Sequence, residues 1–126
     1  MDTLTFTATE AGVDEDEYAL VAGVACDKPY QYVTFQREAE GVDEDWGIHF
    51  GFNDQINGAY ECIQKCSVSR KRLRVELTHP IDWQKKISSV DIELNVSDDE
   101  FNAFVALLRR IFRQKEALLT VAESDA

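Results

Sequence analysis

Residues 97–112 are the one segment of this chain in which every local signal agrees, and they dictate a helix near its end. Ser97 is a good N-cap, because its hydroxyl can accept a backbone N–H that has no partner inside the helix. Glu100, three residues later, completes a capping box, and Val96 and Phe101 make the pair of a hydrophobic staple. Phe101, Phe104, Val105, Leu108, Ile111 and Phe112 recur at helical spacing, so one face is apolar. Asp98, Asp99 and Glu100 lie at the positive end of the helix dipole, with Arg109, Arg110, Arg113 and Lys115 toward the negative end. A lone amphipathic helix has to cover something, and the rest of the chain must supply it.

The preceding residues alternate with a period of two. Leu4, Phe6 and Ala8 start a strand, and an acidic turn, Gly12 to Glu17, follows. Tyr18 to Cys26 is apolar on both alternating faces, as in a central strand covered on two sides. Asp27-Lys28-Pro29 is turn chemistry, and Tyr30 to Arg37 is rich in aromatic and β-branched residues. A second acidic turn, Gly41 to Asp45, leads into Trp46 to Phe52. There Trp46, Ile48, Phe50 and Phe52 share a face opposite Gly47, His49 and Gly51. Asn53 to Gly58 reads as a polar turn. Tyr60–Val68 and Arg72–Thr78 read as a hairpin, and Ser89–Val96 as a last strand. Arg72 and Arg74 point outward, as do Asp91 and Glu93, so antiparallel neighbours would pair these charges.

The expected architecture is α+β: a curved antiparallel sheet of about six or seven strands packed on one C-terminal amphipathic helix. At 126 residues the chain is expected to be a single domain, 1–126, with a loose tail from about residue 117.

Charge divides the chain unevenly. Residues 1–61 hold 14 of the 24 acidic side chains and 2 of the 13 basic ones. The remainder is close to neutral. Such a field repels nucleic acid and anionic lipid and attracts basic proteins, so neither nucleic acid nor membrane is an expected partner. The start of the chain has no basic and apolar leader pattern, and three cysteines with no framework spacing fit a reducing cytoplasm.

Catalytic chemistry finds little support. Cys62 and Cys66 read as core thiols on one strand, roughly 13 Å apart and so too far to share a zinc. His49 and His79 sit in no known motif, which leaves only a spatially assembled His–Cys site as an enzymatic reading. Asp14, Asp16, Asp43 and Asp45 alternate as calcium ligands can, but neither turn has the glycine and glutamate of a calcium loop. No catalytic residue, metal or cofactor is expected. Trp46, on an apolar strand face, is expected in the core. Trp83, in the polar loop Asp82 to Lys86, is expected to fold back onto the sheet, although an exposed tryptophan there would make an interface anchor.

An ordered series of segments resembles a known family. Tyr32-Val33-Thr34-Phe35-Gln36-Arg37, the acidic Asp43-Glu44-Asp45 with Gly47, the turn Asn53-Asp54-Gln55, the strand opening at Tyr60 and the helix end Leu107-Leu108-Arg109-Arg110-Ile111-Phe112 follow one another as in the immunity protein ten family of bacterial polymorphic toxin systems. The similarity covers about residues 30–113. Glu61 and Cys62 stand where the family usually has a pair of glycines, and the acidic turn is shorter. The resemblance implies a non-enzymatic inhibitor that binds and occludes a cognate toxin domain in the producing cell. A basic toxin, such as a nuclease, suits the field described above. The expected contact residues are Asp43, Glu44 and Asp45, with Asp54, Gln55, Trp83 and the first acidic turn, Asp14, Glu15 and Asp16. The competing expectation is an acidic protein-interaction or adaptor domain unrelated to toxins.

Overall fold

The computed structural model describes residues 2–122. The helix forms where its signals place it, as α1 (Asp98–Ile111). Ser97 Oγ accepts the Glu100 N–H at 3.2 Å and Glu100 Oε1 accepts the Ser97 N–H at 3.3 Å, so the capping box is closed. Phe104, Leu107, Leu108, Ile111 and Phe112 are buried, while Phe101 and Val105 flank them half-buried.

Ten strands precede and follow the helix among the described residues: β1 (Asp2–Ala8), β2 (Glu10–Glu15), β3 (Ala19–Asp27), β4 (Tyr30–Glu38), β5 (His49–Phe52), β6 (Asp54–Tyr60), β7 (Ile63–Ser69), β8 (Arg72–Leu77), β9 (Ile87–Leu94) and β10 (Leu119–Val121). They form two five-stranded sheets. One is antiparallel throughout, in the order β2-β3-β4-β5-β6. The other, β1-β9-β8-β7-β10, is mixed, because β1 runs parallel to β9 and β10 parallel to β7. The α+β class with one helix near the C-terminal end therefore holds, and the strands are shared between two sheets where one was expected.

The chain changes sheets twice. Between β1 and β2 only Thr9 intervenes, its N–H donating to Ala25 O at 2.9 Å. Between β6 and β7 the turn is made at Glu61, whose φ is +53°. That left-handed residue cuts the strand expected from Tyr60 to Val68 into two strands of different sheets.

Two expected turns are strands. The stretch Gly12 to Glu17 is largely β2, an edge strand with carboxylates pointing away from the core; only Ala11 is buried in it. Its outer edge is covered by the helix, with Ala11 N–H donating to Glu100 Oε2 at 3.1 Å. Similarly, the turn after β5 needs only Asn53, at φ +61°, and Asp54 onward pairs as β6. The expected loose tail also turns inward. Glu116–Leu118 makes a 3-10 turn and β10 pairs with β7, with Leu118 and Leu119 resting on the core. Glu123 to Ala126 lie outside the described residues. The β8–β9 pairing appears as expected, with Asp91 Oδ2 3.4 Å from Arg72 and 3.7 Å from Arg74.

The buried residues of both sheets and the helix form one cluster. Phe35 on β4 sits at its centre, with ring centroids 5.0 Å from Phe50, 6.3 Å from Phe104 and 6.1 Å from Phe112. Removing such a ring from water stabilises the fold by about 1.5–3 kcal/mol. Because α1 packs on β2, β3 and β4, it occupies the inner face of the antiparallel sheet. The outer face stays open. Ala19, Val21, Gly23 and Ala25 of β3 are only half-buried, so this strand is central but covered on one side, not two.

Candidate binding surface

The open face of the antiparallel sheet is built from registered rows. Gly12, Gly23, Thr34, Gly51 and Gly58 lie side by side on β2 to β6, a line of small residues across all five strands. Two recesses of about 470 Å³ and 300 Å³ open along it, meeting at Tyr32 and Thr34. Carboxylates border both, Glu10 and Asp14 at one and Asp54 at the other, and neither is lined by a lysine or arginine among the described residues. The next row carries Asp14, Val21, Gln36, His49 and Tyr60. The His49 ring stands against Tyr60 at 4.9 Å, its Nδ1 has no hydrogen-bond partner, and burial pushes its pKa below the usual imidazole value.

At one end of this sheet the β2–β3 turn, the β4–β5 loop and the end of β6 converge. Three large aromatics stand exposed there: Tyr18 (67%), Trp46 (64%) and Tyr60 (50%). Trp46 and Tyr60 are 6.4 Å apart between ring centroids, and Tyr18 and Tyr60 line a recess of about 350 Å³ together with Glu38 and Val42. The expectation that Trp46 belongs to the core is overturned. Gly47 has φ +85°, which breaks the alternation one residue before Ile48 and turns the indole outward. Ile48, Phe50 and Phe52 are buried as expected.

The residues expected to make contacts fall into separate groups. Asp43 and Glu44 are exposed in the β4–β5 loop beside these aromatics. Asp45 is tied inward. Arg37, 5% exposed, donates from Nε and Nη2 to its carboxylate at 3.1 and 2.8 Å, and from Nη1 to Ile111 O and Arg113 O at 2.8 and 2.7 Å. The Asp45 carboxyl is held down at about 2, first by hydrogen bonds from Arg37 and also by the Gly47 N–H. Glu15 is likewise engaged, with Arg110 bridging Glu15 and Glu40 at 2.8 and 2.9 Å. Asp16 accepts the N–H groups of Tyr18 and Ala19 at 2.7 and 2.9 Å and shapes the β2–β3 turn; Asp14 is exposed on β2. Asp54 and Gln55 are exposed at the opposite end of the sheet, on β6. Trp83 does not fold back as expected. It is 67% exposed, and its backbone N–H donates to Asn57 Oδ1 at 3.0 Å.

Neither Tyr18 nor Tyr60 is among the contact residues expected from sequence, yet each of the three aromatics adjoins an acidic residue in a loop or at a strand end: Glu17-Tyr18, Asp45-Trp46 and Tyr60-Glu61. That pairing of a large ring with a charge, in or beside a loop, is the signal available.

All three cysteines are free thiols, and burial pushes Cys62 up to about 11 and Cys66 up to about 12, away from thiolate chemistry. No group of three or more potential ligands gathers to hold a metal among the described residues. No helix among them is long and apolar enough to cross a membrane.

Two sheets on one helix, with aromatics and carboxylates gathered on an uncovered sheet, define an α+β protein whose distinctive chemistry lies at its surface. The chain belongs to the Immunity protein 10 family, whose model matches residues 7–102. The match takes in β2 through β9 and the start of α1; it begins earlier than the resemblance read from sequence and ends before Leu107-Leu108. Membership implies a cognate toxin as partner, in a family whose members are in general not enzymes. No curated protein and no solved structure matches the chain.

Proposed function

We propose that this protein binds a cognate toxin domain in the cytoplasm of the producing cell and neutralises it by occlusion, using the open face and aromatic end of its antiparallel sheet. The observation that carries this reading is the coincidence, in one place, of exposed aromatics and exposed carboxylates with no basic partner among the described residues, within a family of immunity proteins. Exposed Tyr and Trp are the side chains that most often dominate binding energy at protein interfaces. Carboxylates around them steer a basic partner and set its orientation. The free thiols accord with a reducing compartment.

Asp43 and Glu44 are assigned the steering role, with Asp14, Asp54, Gln55 and Trp83 as further contacts along the same sheet and its β6 side. A toxin that acts on nucleic acid would present the basic surface this field suits. The test is association of the toxin domain encoded beside the gene. Asp43→Lys with Glu44→Lys slows association about tenfold and flattens its salt dependence. An unchanged on-rate removes both residues from the interface, and a toxin that the wild-type chain neither binds nor inhibits defeats the reading.

A further inference from the structure

We propose that the recess between Tyr18 and Tyr60 seats one lysine or arginine side chain projecting from the toxin; this rests on the toxin-neutralising reading above. The recess measures about 350 Å³, ample for one long side chain, and both tyrosines are at least half exposed at its mouth. Val42 and Ala19 contribute apolar surface, which suits the methylene stem of such a residue. Glu38 contributes the charge. One of its oxygens accepts the Trp46 backbone N–H at 3.3 Å, fixing the carboxylate against the base of the loop. Aromatic faces and a carboxylate around one cavity are the surroundings that favour a cation, through the ring quadrupole and charge-assisted hydrogen bonding.

The cations nearby are already committed. Arg37 lines the recess, but every nitrogen of its guanidinium bonds Asp45 or the carbonyls of Ile111 and Arg113. Arg110 is held by Glu15 and Glu40, Arg113 donates to the Glu38 and Arg110 carbonyls, and Lys115 pairs with Glu61. Asp43 and Glu44 add exposed negative charge on the loop next to the cavity. An anionic anchor would meet only repulsion here, and an apolar one would leave Glu38 desolvated without a partner.

Two measurements test this. In the first, Nα-acetyl-arginine methylamide is titrated into isotopically labelled protein, with the norleucine analogue as control. The expected result is a set of shifts confined to Tyr18, Tyr60, Glu38 and their neighbours, much larger for arginine than for norleucine. Shifts elsewhere, equal shifts for both compounds, or none, overturn the proposal. In the second, binding of the adjacent toxin domain is measured for variants whose thermal midpoints match wild type. Tyr18→Ala and Tyr60→Ala each weaken binding about 30-fold, whereas Tyr18→Phe and Tyr60→Phe, which keep the ring, change it less than about 3-fold. Glu38→Gln weakens it about 10-fold and lowers its salt dependence. Tight wild-type binding that none of these variants disturbs discards the recess and leaves the neutralising function intact. A chain that takes up arginine but no toxin discards both.

Discussion

On the outer face of the mixed sheet, charges answer one another across the strands: Arg72 and Arg74 reach Asp91, Thr7 donates to Glu93 at 3.1 Å, and Thr3 meets Ser89 at 2.7 Å. On the outer face of the antiparallel sheet they do not. Small residues run across its middle, Glu10, Asp14 and Asp54 border them, and the acids that do find basic partners, Glu15, Glu40, Asp45 and Glu61, are gathered at one end by Arg110, Arg37 and Lys115. The imbalance of charge between the two halves of the sequence thus becomes an imbalance between two surfaces. One satisfies itself; the other is left to be satisfied.

The largest expected effect tests the few places where the antiparallel sheet does pair its charges. Arg37→Ala strips the Asp45 carboxylate and two helix-end carbonyls of a buried donor at once, and should cost about 3 kcal/mol in urea unfolding. The same link predicts a pH dependence. Asp45 is depressed from 3.8 to about 2 in the folded chain, so its contribution is complete above the unfolded value and disappears as pH falls through about 2. The stability gap between wild type and Asp45→Asn should therefore narrow below pH 4 and close near pH 2. A gap that does not change with pH means the carboxylate is not held by Arg37.

The row of small residues is tested next. A Cβ at Gly23 would lie 2.9 Å from Val33 O, whereas one at Gly12 meets nothing within 4 Å. Gly23→Ala should destabilise by about 1–2 kcal/mol through forced displacement of the neighbouring strand. Gly12→Ala should be neutral or stabilise by about 0.5 kcal/mol. Equal effects would show that the row is not set by strand packing. The smallest effect belongs to the mixed sheet: Arg72→Ala should change unfolding by less than about 0.5 kcal/mol, because an exposed pair gains little over water. A cost above 1 kcal/mol would mean that this face depends on its cross-strand charges far more than its exposure implies.

Local features were readable from sequence and distant ones were not. The capping box and apolar stripe of α1 lie within a few residues of each other, and both formed as written. The Arg72 and Arg74 pairing with Asp91 could be anticipated because alternation fixes which side chains share a face. The second change of sheet turns on Glu61 taking a positive φ, a conformation a glutamate does not advertise. Edge strand β2 has the acidic composition of a turn, while the helix that covers its edge lies almost ninety residues away. In the site, the exposure of Asp43 and Glu44 was legible. The role of Asp45 was not, since Arg37 binds it only while also grasping the end of a helix 74 residues further along. Trp46 was misplaced by a single glycine.

Within the β4–β5 loop, holding and presenting fall to different residues. Ala39 is buried, Glu40 is gripped by Arg110 and Asp45 by Arg37, while Asp43, Glu44 and Trp46 face solvent between and beside those anchors. Replacing what the loop shows therefore need not disturb how it is kept in place. On the proposed function, those three positions could change by single steps while the anchors keep the loop folded, leaving recognition of the partner free to vary on its own.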